Sequence, residues 1–191
     1  MPNASSTILR QLLAAAIVLL IVKVTVEVML GYVNYFPPNF STGFLNGRDH
    51  YFFGPYRWAF YLHIVSGPPA LLLGLLLISE RFRGRFPVWH RNLGRIHTAN
   101  VLLVLAPSGL WMARYTATGT AAAVGFTILS VLTGLCIALG WRAAVARQFA
   151  IHRRWMWRSF LLLCSAVVLR LFGGIGVLFE VPYEWYDPVA S

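Results

Sequence analysis

An all-α, polytopic transmembrane helical bundle of five spans is the fold this sequence predicts. Three observations carry the expectation. Several apolar runs reach the ~20 residues that a ~30 Å hydrocarbon layer demands. Of the 191 residues, 58% are hydrophobic and only 12% charged, with a mean hydropathy of +0.66. A soluble domain needs more polar surface than that. The basic residues, Lys23 apart all arginines, cluster at the ends of the apolar runs, as topology signals do. The whole chain reads as a single membrane domain, residues 1–191.

The expected spans are 7–31, 57–79, 92–113, 121–141 and 155–179, with an aromatic outer loop at 32–56. In the first, Val22 to Val28 alternates like a strand. An isolated strand cannot satisfy its backbone in lipid, so helix is expected. Lys23 and Glu27 are then four apart on one face. No small-x-small cleavage site follows the run, which reads as a retained helix rather than a signal peptide. The 32–56 stretch is too rich in Gly and Pro to span, and its many rings suit a membrane interface.

The second span carries His63, then Ser66-Gly67-Pro68-Pro69 and Gly74. The prolines remove backbone donors and free carbonyls that need other partners. A short basic connection leads to His90-Arg91-Asn92-Leu93-Gly94-Arg95-Ile96-His97, the entrance of the third span. His90 and His97 lie on nearly one face, about 10 Å apart in height. Pro107 is expected to kink this helix. The fourth span is bland apart from Gly125, Gly134 and Gly140, which read as packing residues. The fifth opens on His152-Arg153-Arg154-Trp155-Met156-Trp157-Arg158 and holds Arg170 further along. Eighteen residues complete five turns, so His152 and Arg170 share a stripe. Glu180, Glu184 and Asp187, with Tyr183, Trp185 and Tyr186, make an acidic aromatic tail. Cys136 and Cys164 lie inside apolar runs without metal-ligand spacing and read as small buried hydrophobes.

Arginine counts set the expected topology: N-terminus inside, C-terminus outside. Height along the helices then sorts the polar residues into two groups. Lys23, Glu27, His63 and Arg170 fall at one depth near the outer side, where an unpaired ion is costly, so a cluster is expected there. His90, Arg91, Arg95, His97, His152, Arg153 and Arg158 gather at the inner face. Cations with no acid beside them in sequence point to an anionic partner, and placement at span ends argues for lipid head groups and against nucleic acid.

His63-Ile64-x-x-Gly67 with Ala70-Leu71-Leu72-Leu73-Gly74, His90-Arg91-x-x-Gly94-Arg95, and His152-Arg153-Arg154-Trp155-Met156-x-Arg158-Ser159 with Leu169-Arg170 together resemble the domain-of-unknown-function 2306 family of predicted integral membrane proteins. The matching pieces cover the second to fifth spans. The resemblance implies a multi-span fold and directs attention to His63, His90 and His152. The family pattern often has an aromatic at the position of His97. No reaction comes with it.

Three functions fit these residues. One is an accessory or assembly subunit of the bacterial inner membrane, its arginine- and histidine-rich inner face holding anionic lipid or a larger membrane complex. The alternative is a b-type haem or quinone-linked redox protein, with His90 or His97 and His152 as axial ligands and Arg91, Arg95 and Arg158 on the propionates; no metal is expected beyond that iron. The third is a small transporter or lipid-modifying enzyme, against which stand the missing catalytic acids and the absence of an inverted repeat.

Overall fold

The structure, a computed structural model, describes residues 4–41, 43–116 and 119–179. Among them there is no strand. Five helices are long and apolar enough to cross a membrane: Ser6–Tyr35, Asp49–Leu77, Pro87–Ala113, Thr120–Val145 and Phe149–Gly174. They are called the first to fifth spans below. The acidic tail from Glu180 lies outside the described residues.

Helices begin earlier than the hydropathy suggests at the third and fifth spans, at Pro87 and Phe149. Arginine is a good helix former, so a charged entrance does not stop a helix; it only leaves the lipid. Proline at Pro87 suits a first turn because its missing N–H is an orphan there anyway. His90 and His152 therefore sit inside helices and are held in fixed directions.

The second span is the hub. It packs against the first, third and fifth spans, while the fourth lies between the third and the fifth. A lateral cluster joins Ile21 and Val24 of the first span to Leu71 of the second and Phe160 and Val167 of the fifth. A central cluster joins Ala70, Val101, Leu105 and Ile137. The first span attaches by its second half only: every described side chain from Thr7 to Leu20 is exposed.

The prolines shape two spans. Pro68 lacks the N–H that would bond the Ile64 carbonyl. The Tyr32 hydroxyl takes that place, donating to Ile64 O at 2.6 Å, and so ties the end of the first span to the second. In the third span a π-type turn at Val101–Leu105 precedes Pro107, with the Ala106 N–H reaching back to Val101 O. Near the start of the second span, the backbone leaves helical geometry at Gly54 (φ −88°, ψ −155°) before Pro55.

The 32–56 segment is a packed cap rather than a belt of separate rings. Leu45, Phe52, Tyr56 and Phe60 are almost fully buried, with Tyr35, Phe40, Phe44, Tyr51, Tyr61, Met112 and Tyr115 around them. Rings meet edge to face or stacked, as their quadrupoles favour; Tyr51 stacks on Tyr115 at 5.2 Å. Arg48 is a staple of this cap. It is buried, donates from Nε to Phe44 O at 2.6 Å and lies over the Phe44 ring.

At the opposite end of the bundle, Ser79 caps the short helix Glu80–Arg85 by accepting the Phe82 N–H. The turn between the fourth and fifth spans closes with Gln148 N–H to Ala143 O and Arg147 N–H to Ala144 O. Arg147 adopts φ 59° there, a left-handed position where glycine is usual. The Arg153–Glu80 ion pair, 2.8 Å, bridges the two connections.

Candidate functional site at the basic end

Ten arginines crowd this end: Arg81, Arg83, Arg85, Arg91, Arg95, Arg142, Arg147, Arg153, Arg154 and Arg158, and all are exposed. Glu80 is the one acid of the described residues in these segments, and it is taken by Arg153. Arg158 is braced over the Trp155 ring at 4.6 Å and Arg85 over Phe86 at 5.7 Å, which holds guanidinium planes without neutralising them.

Beneath the arginines the histidines separate into two levels. His152 places Nδ1 2.9 Å from the Gly140 carbonyl. A carbonyl only accepts, so the neutral ring carries its proton on Nδ1 and keeps the Nε2 lone pair. Gly140 is closely packed: a side chain there would displace the end of Met156 and would meet Trp155 Cβ at 3.3 Å. His90, half-buried on the third span, lies within electrostatic range of His152 and Arg83. Its Nδ1 is buried without a hydrogen-bond partner. His90 thus lies near His152 and Arg83 at the basic end.

His97 belongs elsewhere. It is buried two turns deeper, where a Cβ added at Gly74 would meet Phe160 Cδ2 at 2.9 Å and His97 Cε1 at 3.6 Å. Its Nδ1 has no partner, and neither has the hydroxyl of Ser159, beside Phe160. Buried polar atoms are ordinarily satisfied by protein or water, so these two are exceptions beside the apolar cluster around Phe160. Ser159 closes the His152 motif in sequence, but a serine next to Arg158 carries no signal of burial there.

The expected outer cluster does not form. Lys23 donates to Glu27 at 2.6 Å and leaves no Glu27–Arg170 ion pair; partners four apart on one helix meet first. Arg170 is exposed, with Tyr32 in electrostatic range. His63 turns inward instead. Its Nδ1 lies 3.2 Å from Ser108 Oγ, and that hydroxyl donates to Leu105 O at 3.0 Å. Having spent its proton, Ser108 accepts from His63 Nδ1. Ser130 of the fourth span joins this node: a Cβ at Gly109 would meet Ser130 Oγ at 2.9 Å and His63 Cε1 at 3.0 Å. Ser108 and Gly109, just past the π-type turn, and Ser130 on the fourth span carry no signal in sequence; packing of the two spans brings them to His63.

Cys136 is buried and Cys164 partly so, and both are free thiols. No group of three or more His, Cys, Asp or Glu able to hold a metal ion occurs among the described residues.

Five apolar helices with imidazoles set between them and arginines at one end define a polytopic helical membrane protein. The chain belongs to the family described as "Predicted membrane protein (DUF2306)", whose profile matches residues 60–186. That stretch holds the motifs around His63, His90 and His152. No curated protein and no solved structure matches the chain significantly.

Proposed function

We propose that this protein is an accessory subunit of a bacterial inner membrane, with its basic end on the cytoplasmic side, whose task there is to hold anionic lipid head groups. The observation that supports this reading is the excess of exposed arginine over acid at one end of the bundle, ten against Glu80. Arginine forks suit phosphate, and two of these guanidiniums are already braced on rings. Juxtamembrane cations gain about 1 kcal/mol each near an anionic leaflet.

The experiment is retention of lipid by the purified protein. The unmodified chain should keep anionic phospholipid through mild detergent exchange. The triple variant Arg91→Gln, Arg95→Gln, Arg158→Gln should lose most of it while keeping zwitterionic lipid unchanged. Equal retention by both proteins would sink the reading.

A second reading rests on one specific feature, the His152 ring, whose Nδ1–H is held by Gly140 O so that Nε2 faces away with its lone pair. Metal-ligating histidines are commonly oriented in this manner. With His90 beside it, the pair suits a single b-type haem whose propionates meet Arg91, Arg95 and Arg158. Protein expressed with haem precursor should then show a Soret band that His152→Ala abolishes. A colourless preparation rejects this reading and leaves the lipid reading standing.

A further inference from the structure

The Lys23–Glu27 pair poses a physical problem that one chain does not solve. It lies within the most apolar of the spans, Ser6–Tyr35. Yet the two side chains are 67% and 55% exposed. Val24, between them in sequence, is buried with Leu71, Phe160 and Val167. The pair is therefore level with the packed middle of the bundle, not with an end. Charged groups at such depth face protein or water, because hydrocarbon solvates them poorly.

The exposure pattern of the helix shows which face around the pair is left free by this chain. Ile21, Val24, Thr25 and Val28 form the face turned to the bundle. The opposite face shows Leu12, Ala16, Leu19, Lys23, Val26 and Leu30, all exposed. Their spacing alternates four, three, four, three, four, which is the seam of a left-handed coiled coil. Lys23 takes one seam position and Glu27 flanks it. A single polar seam residue is a device that fixes register and oligomeric state. The seam also carries opposite charges one turn apart, so in two parallel copies at the same height each Lys23 can reach diagonally to the Glu27 of the second copy.

We propose that this face is a homodimer seam. The first spans of two copies pack in parallel about a two-fold axis along the membrane normal. Each Lys23 Nζ is shared between its own Glu27 and the Glu27 of the second copy, which removes both ions from lipid. Ala16 gives the close approach that membrane helices need, since apolar area alone drives no association in hydrocarbon.

Cysteine cross-linking of the full chain in membranes tests the seam. Leu19 and Ile17 are both exposed, two residues apart, and only Leu19 lies on the seam. Oxidised Leu19→Cys should give several-fold more disulfide dimer than Ile17→Cys, which should match the unmodified chain with its Cys136 and Cys164. Equal yields, or none at either position, overturn the proposal. So does self-association replaced by capture of a different protein. A second measurement separates a lost seam from a lost fold. Lys23→Glu and Glu27→Lys, on separately tagged Leu19→Cys chains, should each fail to dimerise alone and should cross-link to one another when co-expressed. A variant that has not folded gains nothing from its counterpart. Loss without rescue in trans, or dimers of either variant alone, overturns the assignment.

Discussion

The close approaches at glycine carry much of the packing at residue scale. At Gly74 there is no room for a methyl, because Phe160 Cδ2 stands 2.9 Å from where it would be. Gly74→Ala should lower stability by about 1–3 kcal/mol, the usual cost of overpacking, read as a fall in the thermal midpoint in detergent. Gly67, by contrast, has only Leu105 Cδ1 at 3.9 Å, and Gly67→Ala should be tolerated. The two glycines lie seven apart on one stripe of the helix, and the neighbouring helices make only one of them tight. Arg147 gives a prediction of opposite sign. At φ 59° a non-glycine residue carries a local cost of about 1 kcal/mol, so Arg147→Gly should raise the thermal midpoint in detergent. The Tyr32 hydroxyl is a third case. Tyr32→Phe leaves the Ile64 carbonyl without its donor, and an unsatisfied buried acceptor costs about 1–3 kcal/mol.

Irregular turns place the polar groups at the scale of the elements. The π-type turn before Pro107 inserts a residue into the third span, and π-type turns of this kind recur at functional positions. Here the turn directs Ser108 and Gly109 at His63. The aromatic cap is a unit of its own, centred on Leu45 and Phe52, both 0% exposed. Leu45→Ala should leave a cavity and cost about 2–5 kcal/mol. If the cap folds with the bundle, unfolding stays a single transition at a lower midpoint. A separate early transition would show that the cap opens on its own. The sequence identified this stretch by its rings, which suit either a membrane interface or a cap over the helix ends. Ring count reveals abundance, whereas burial depends on which helix ends converge.

The whole molecule has a basic end, an aromatic end and two polar levels between them. Its stability in vesicles should rise with anionic lipid and fall again with salt, since exposed arginines are screened within about 8–10 Å at ordinary ionic strength. A midpoint independent of lipid charge would contradict a head-group role for the basic end. The first span is the loosest member, joined through Ile21, Val24 and Val28, and its attachment should depend on the second copy.

Five spans, their rough ends and the basic character of one set of connections were all readable in the chain alone. They follow from local properties: how many apolar residues succeed one another and where arginine interrupts them. The histidines at the basic end were also named in advance. What only tertiary structure decided is which of them meet. It set His152 on the Gly140 carbonyl, sent His97 to Gly74 and Phe160, turned His63 towards Ser108, and left Lys23 with Glu27. The reason is physical. Helices in lipid are apolar on every side, so hydropathy does not say which way each one is rotated. That rotation comes from long-range packing at Gly74, Gly109 and Gly140, and with it the direction of every polar side chain between the spans.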